Sequence, residues 1–163
     1  VRVLWRGNRM DNNSFLIIRT DDAQDLPLPS RKSEGASGLD LYANVTRPIT
    51  LFTGGYSPIP TGIKLVIPKN HEVQIRGRSG LAAKHGVGIV NGPGTIDEDF
   101  RGELKAIVIN HGRDPFVINR GDRIAQIVLC PVSSMNPVEV TQETFDMYST
   151  ERGEGELGST GVK

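Results

Sequence analysis

The chain has 163 residues, enough for one ordinary domain with a sizeable core. Nineteen Lys and Arg balance nineteen Asp and Glu, so no global field points to nucleic acid or an anionic membrane, although a local cluster could still hold a polyanionic small ligand. The single cysteine, Cys130, excludes an internal disulfide and a thiolate metal cluster. No apolar stretch is long enough to span a bilayer, and the expectation is a soluble protein, cytoplasmic or otherwise intracellular.

Residues 1–9 precede Met10 and read as a leader or appended segment ahead of a natural start, which sets residues 1–13 apart as an N-terminal extension. From there to residue 149, Gly and Pro punctuate short runs rich in Val, Ile and Leu. This pattern predicts an all-β domain with strands at Ser14–Arg19, Leu39–Ala43, Ile49–Phe52, Tyr56–Pro60, Gly62–Ile67, Glu72–Gly77, Val87–Val90, Gly94–Asp97, Leu104–Asn110, Phe116–Ile118 and Arg123–Val132. One short helix is expected at Ser79–Lys84, with Ser79 as N-cap and Gly86 near its end. Cys130 sits in the apolar run Ile127–Cys130 and is expected to be a buried structural thiol. Strands this short and dense imply a jelly-roll-like barrel or sandwich. Residues 150–163 are Gly-rich, polar and nearly without core-forming side chains, as in a tail ordered only by a ligand or partner.

Five segments interrupt the strand pattern with polar residues and glycines: Ala36–Tyr42, Gly77–Ala82, Asn91–Glu103, Gly121–Gln126 and Arg152–Gly161. Arg78-Ser79-Gly80 puts a guanidinium, a hydroxyl and a flexible backbone at a helix start, where unpaired N–H groups favour an anion. The run Gly158-Ser159-Thr160-Gly161 could wrap oxygens in the same way. Taken singly, Ser79 reads as a plain N-cap and the tail as a loose terminus. Asp97, Glu98, Asp99 and Glu103 form an acidic cluster whose local reading is a solvated hairpin. On a strand, Asp97 and Asp99 would share a face, one free to hold a water while the other ties the turn to Arg101. Asp40, between Leu39 and Leu41, would need a partner or a metal-bound water if ionised. Three scattered histidines show no ligand spacing, so no zinc site is indicated. Carboxylates and phosphate-binding loops without a nucleophile fit direct attack of water on a phosphoanhydride, with Mg²⁺ as the hard cation.

In order and spacing, the five segments resemble the five motifs of the trimeric dUTPase family, from Ala36 to Gly161. The resemblance implies a β jelly roll, a homotrimer whose sites are shared between subunits, and hydrolysis of dUTP to dUMP and pyrophosphate. It implies that Asp97 is the base for the attacking water and that Asp40 acts on Mg²⁺ through a metal-bound water. Arg78, Ser79, Gly80 and Gln126 would contact phosphates. Asn91, Gly94, Thr95 and Ile96 would recognise uracil, and Lys105 is a further substrate-binding position. Phe100 stands where the family usually has Tyr beneath the deoxyribose. Arg152, Leu157, Gly158, Ser159 and Thr160 would belong to a C-terminal arm closing on the substrate.

Two departures stand out. Gly77 replaces the usual proline before Arg-Ser-Gly, and Gly155-Glu156-Leu157-Gly158 stands where the family usually has Gly-Gly-Phe-Gly, so the ring that stacks on uracil is missing. One alternative is a dCTP deaminase on the same fold; Asp99-Phe100-Arg101-Gly102 argues against it, because deaminases of this fold resemble Gly-Phe-Glu-Gly there. Another is a dUTPase-like binding or signalling protein with a weakened arm.

Overall fold

In the computed structural model the described residues are 15–155, which fall into two compact units, 15–133 and 134–155. The first contains eleven strands: β1 (Leu16–Arg19), β2 (Leu39–Tyr42), β3 (Ile49–Leu51), β4 (Tyr56–Pro60), β5 (Ile63–Val66), β6 (His71–Arg76), β7 (Val87–Ile89), β8 (Gly94–Ile96), β9 (Lys105–Asn110), β10 (Phe116–Ile118) and β11 (Arg123–Pro131). Each predicted strand is present, most of them trimmed by a residue or so at the ends. The strands form four antiparallel sheets: β2-β11-β6-β8, β4-β9-β7 and the pairs β1-β5 and β10-β3. This is the expected all-β architecture of jelly-roll type. Among the described residues no helix is long and apolar enough to cross a membrane.

The core follows from period-two alternation. On β9, Ala106, Val108 and Asn110 point inward; β6 contributes Val73 and Ile75, and β5 contributes Ile63 and Leu65. They meet Leu41, Ile59, Leu104, Ile118, Ile124 and Ile127 in one apolar cluster. The buried polar groups are satisfied. Asn110 donates to the carbonyls of Leu51 (2.8 Å) and Asp114 (2.9 Å) and accepts from Gly112 N–H, and Thr61 Oγ1 donates to the Leu104 carbonyl.

A polar brace ties the segment after β1 to the rest of the unit. Arg120 donates to both carboxylate oxygens of Asp25 (2.6 and 3.0 Å) and to Asn44 Oδ1 (2.6 Å), while Asn44 donates to Asp22. The Arg120 hydrogen bond holds the Asp25 carboxyl below the usual carboxylate range and raises the guanidinium in turn. Hydrogen bonds from Thr20 and Asn44 lower Asp22.

Helix α1 (Ser79–His85) starts one residue earlier in its capping scheme than the sequence suggests. Arg78, in extended conformation, is the N-cap, and Ser79 is the first helical residue. The boundary moves because the Arg78 backbone stays extended while its side chain is held by neighbouring strands, as described below. Gly86 closes the helix in the left-handed region (φ 67°), where its N–H reaches the carbonyl of Ala82. In the second unit, residues 134–155, a further short helix α2 (Gln142–Asp146) is capped by Thr141 Oγ1, which accepts from Thr144 N–H. Cys130 is half-buried rather than buried, because it faces outward on β11, where Arg76 Nη2 lies 3.7 Å from its sulfur.

The turn between β4 and β5 requires glycine. Gly62 has φ 68°, and a Cβ there would lie 2.1 Å from the Ala23 Cβ. Left-handed backbone costs about 1–2 kcal/mol for a residue with a side chain, and the overlap adds to it. Gly62→Ala is expected to lower stability by about 2 kcal/mol or more, seen as a Tm drop of roughly 4–8 °C in thermal unfolding.

Candidate active site

The organising feature of the first unit is a carboxylate between two guanidiniums. Asp40 lies in the middle of β2 and is about nine-tenths buried. Its Oδ1 is 3.2 Å from Arg78 Nε and its Oδ2 accepts from Arg123 Nη1 at 3.0 Å. Arg78 Nη1 also donates to the Arg123 carbonyl at 2.7 Å. The charge in the strand therefore has the partners its burial demands.

Strand register explains why these groups converge. Asp40 pairs across the sheet with Gln126 of β11, which pairs on its other side with Arg76 of β6. Gln126 Nε2 donates to the Gly77 carbonyl (2.9 Å), tying the chain that leads into α1 to the middle of β11. Gly38 leaves the room this requires, since a Cβ there would lie 2.1 Å from Gln126 Oε1. Arg123 reaches the same face through a β-bulge. The pairing steps from Arg123↔Tyr42 directly to Ala125↔Leu41, and Ile124 and Ala125 are both buried. Arg123 was not singled out from the sequence. Strict alternation places residues 123 and 126 on opposite faces, and only the bulge brings them together. Beside the two arginines runs a groove of about 480 Å³, with Tyr42, Leu81, His85 and Phe116 in its walls.

Of the residues expected to bind phosphate, Arg78 and Gln126 thus belong to one assembly with Asp40. Ser79 and Gly80 follow Arg78 at the exposed start of α1, and Gly80 opens on free space. The third segment lies elsewhere. Strand β8 is the far edge of the sheet β2-β11-β6-β8, three strand spacings from β2, or about 14 Å. There Asn91 is exposed with its amide against Gly94, Thr95 is exposed opposite Gln74, and Ile96 is half-buried opposite Val73. Asp97 follows at the surface, and its carbonyl accepts from Phe100 N–H to close a turn. The Phe100 ring is partly exposed and rests over Gly102, where a Cβ would be 2.6 Å from its Cζ.

The acidic turn differs from expectation in one respect. Arg101 is not tied by a carboxylate; its Nη1 donates to the carbonyls of Glu98 (2.6 Å) and Phe100 (2.8 Å), which close approach within the turn favours. Glu98 caps the Asn70 N–H. Lys105 is exposed at the start of β9, in the other sheet. In the second unit Arg152 Nε donates to the Gly155 carbonyl. Leu157, Gly158, Ser159 and Thr160, with Glu156, lie outside the described residues. Among the described residues no group of three or more His, Cys, Asp or Glu could hold a metal directly.

Fold and site together define a jelly-roll protein with a cationic face built around one buried carboxylate. The family model that matches is dUTPase, over residues 24–161. The deoxyuridine 5'-triphosphate nucleotidohydrolase of Caldanaerobacter subterraneus subsp. tengcongensis is 51% identical over 146 residues, covering 90% of this chain and 96% of that protein. Its namesake in Anaplasma marginale is 46% identical over 146 residues, with 90% and 97% covered. Among solved structures, the Staphylococcus bacteriophage 80alpha dUTPase with dUpNHpp has a TM-score of 0.76 at 22% identity, covering 92% of this chain and 99% of that one. A mutant dUTPase from phage phi11 of S. aureus, described as coordinating a structural Mg(II) ion, has a TM-score of 0.71 at 19% identity, covering 80% and 98%. The chain belongs to the dUTPase family.

Gly77, where a proline was expected, does not have positive φ, and a Cβ there would meet Gly88 Cα at 3.8 Å and Ile89 N at 3.9 Å, ordinary contacts. Its carbonyl bond from Gln126 survives the substitution. Gly77→Ala is expected to raise stability by about 0.4–1 kcal/mol through the unfolded chain, measured by thermal or urea unfolding.

Proposed function

We propose that the chain is a dUTP diphosphatase that converts dUTP to dUMP and pyrophosphate in the cytoplasm or another intracellular compartment. The family membership and the named relatives support the activity. The observation that carries the site assignment is the assembly of Asp40, Arg78, Arg123 and Gln126 on one face, with an exposed carboxylate, Asp97, directly after the edge strand β8.

Arg78 and Gln126, with the Ser79 hydroxyl and the Gly80 N–H, hold the phosphate chain. Asn91 and the backbone of Gly94, Thr95 and Ile96 offer amide and peptide groups to the uracil carbonyls and N3–H. Phe100 lies beneath the deoxyribose and leaves no room for a 2′-hydroxyl. Lys105 adds an exposed cation. Asp97 orients a water and takes its proton as the oxygen attacks the α-phosphorus; the bond to the bridging oxygen breaks and pyrophosphate leaves. Arg152, Ser159 and Thr160 of the arm, residues 150–163, hold the γ-phosphate, while Leu157 and Gly158 cover the base.

Magnesium fits this donor set in one way. Both Asp40 oxygens are engaged by guanidiniums, but a carboxylate has about four lone-pair sites, so two remain to accept from a metal-bound water. That is an outer-sphere role, in keeping with the reluctance of Mg²⁺ to shed its waters. When bound, the ion would offset charge developing on the phosphate oxygens.

The separation of Asp97 from the arginine cluster favours a site completed by a second copy, and a homotrimer of 14–149 domains whose sites are shared between subunits meets that need. Arg101 stands where a deaminase of this fold would need its glutamate, and its bonds to local carbonyls hold it within the turn.

Asp97→Asn is expected to lower kcat for dUTP by about 10²–10⁴-fold with the fold intact, followed by pyrophosphate release. Wild-type protein should prefer dUTP to dCTP, dTTP and UTP; ammonia release from dCTP, or activity surviving Asp97→Asn, would overturn the reading. Leu157→Phe should restore stacking on the base, worth about 1–3 kcal/mol, and lower KM by about fivefold or more in the same assay.

A further inference from the structure

We infer that Arg123 is a positioning residue of the phosphate site, acting through Asp40 to hold Arg78 in its ligand-binding pose. The inference rests on the dUTP-hydrolysing reading above and assigns a part to a side chain outside the phosphate contacts proposed there.

An arginine beside a lone carboxylate tends to a two-pronged pair, with two parallel N–H groups on the two oxygens. Such a pair would turn Arg78 wholly toward Asp40 and leave a neutral unit, a poor partner for a triphosphate. The geometry here is different. Arg123 Nη1 holds Oδ2 at 3.0 Å from its own side, and Arg78 engages Oδ1 alone, through Nε at 3.2 Å. Arg78 Nη1 is then drawn to the Arg123 carbonyl at 2.7 Å. Arg78 is gripped at Nε and Nη1, and among the described residues its Nη2 has no partner. The cluster of two guanidiniums and one carboxylate keeps a net positive charge.

The sequence builds this arrangement at a specific point. The bulge at Ile124 and Ala125 turns two consecutive side chains into the core and leaves Arg123 on the face of Tyr42, Asp40 and Gln126. Arg123 itself is less buried than Arg78, with side-chain exposures of 43% and 25%. That suits a residue whose anchor is Asp40 and whose loss leaves the core unchanged.

The test is a double-substitution cycle on the full-length protein, read as kcat and KM for dUTP and as binding of inorganic tripolyphosphate by calorimetry. Arg123→Met should raise KM by about tenfold, the scale of one charge-assisted hydrogen bond, with kcat changed by less than about threefold. Arg123→Lys, which keeps a cationic donor for Oδ2, should recover most of that loss. In an Asp40→Asn background, where nothing draws Arg78 into a two-pronged pair, Arg123→Met should add less than about twofold. An unchanged KM in Arg123→Met, or the same tenfold penalty in the Asp40→Asn background, would overturn the inference, the latter by making Arg123 a direct ligand contact. If Arg123→Met does not fold, Arg123→Gln takes its place in the cycle. A wild-type protein that releases no pyrophosphate from dUTP would refute the functional reading instead, and the tripolyphosphate isotherms would still decide the part played by Arg123.

Discussion

The arrangement depends on the enclosed carboxylate of Asp40. A charge in the middle of a strand, nine-tenths buried, is tolerable only if its partners are at hand. The partners come from two places far apart in sequence, the chain entering α1 and the start of β11. Satisfying Asp40 therefore fixes the approach of three segments to one another, and with them the direction of Arg78 and the extended backbone that begins α1. Gln126, opposite Asp40 in the register, adds a neutral tie from the same strand to Gly77. Removing either arginine leaves a carboxylate short of a partner in a poorly hydrated place. For that reason the cluster is better understood as one unit than as three contacts.

The four-stranded sheet then sets the scale of the site. Its order puts Asp40 at one edge and the turn bearing Asp97 at the other, with Arg123 on β11 between them and Arg78 just past β6, at the end of that strand away from the Val73↔Ile96 pair that leads into Asp97. Within one chain a phosphate held at Arg78 is far from Asp97, which rests at the surface on a turn closed by backbone bonds. The two halves are each well formed locally. The Arg101 bonds stiffen the acidic turn, and Phe100 is laid over a glycine that could be nothing larger without moving the ring. The assembly from copies proposed for this chain would bring together two parts that each chain holds rigid and apart.

The strands were legible because short Val, Ile and Leu runs between turn residues leave few other options, and their boundaries erred mainly where a terminal residue such as Val90 or Val132 is apolar and bonded through its N–H yet lies just past the end of the strand. The glycine at the end of α1 was legible too, since a left-handed residue was needed there. Less legible were features that depend on partners distant in sequence. Ser79 looked like a cap by residue type, but tertiary bonds to Arg78 moved the cap by one. The partner that Asp40 required could be foreseen in kind, not in identity. Arg123 was hidden because a bulge breaks the period on which facing is judged. Helix α2 carries only a local signal, Thr141 followed by Gln-Glu, in a polar stretch without the apolar periodicity that marks a helix.

The bulge is also where fold and chemistry meet. It costs a ladder position and leaves β11 with two adjacent inward side chains, Ile124 and Ala125. In return the core gains Ile124 while Arg123 and Gln126, three positions apart, share a face with Asp40. A regular strand could give the core its apolar residue or give the sheet face its second polar one, but not both. Because the bonds among Arg78, Asp40, Arg123 and Gln126 form within the folded chain, little reorganisation is left for the moment a polyanion arrives. Donors fixed in advance are worth more than donors that must be gathered. The cationic cluster is thus a product of folding, and the proposed homotrimer is what would join it to Asp97.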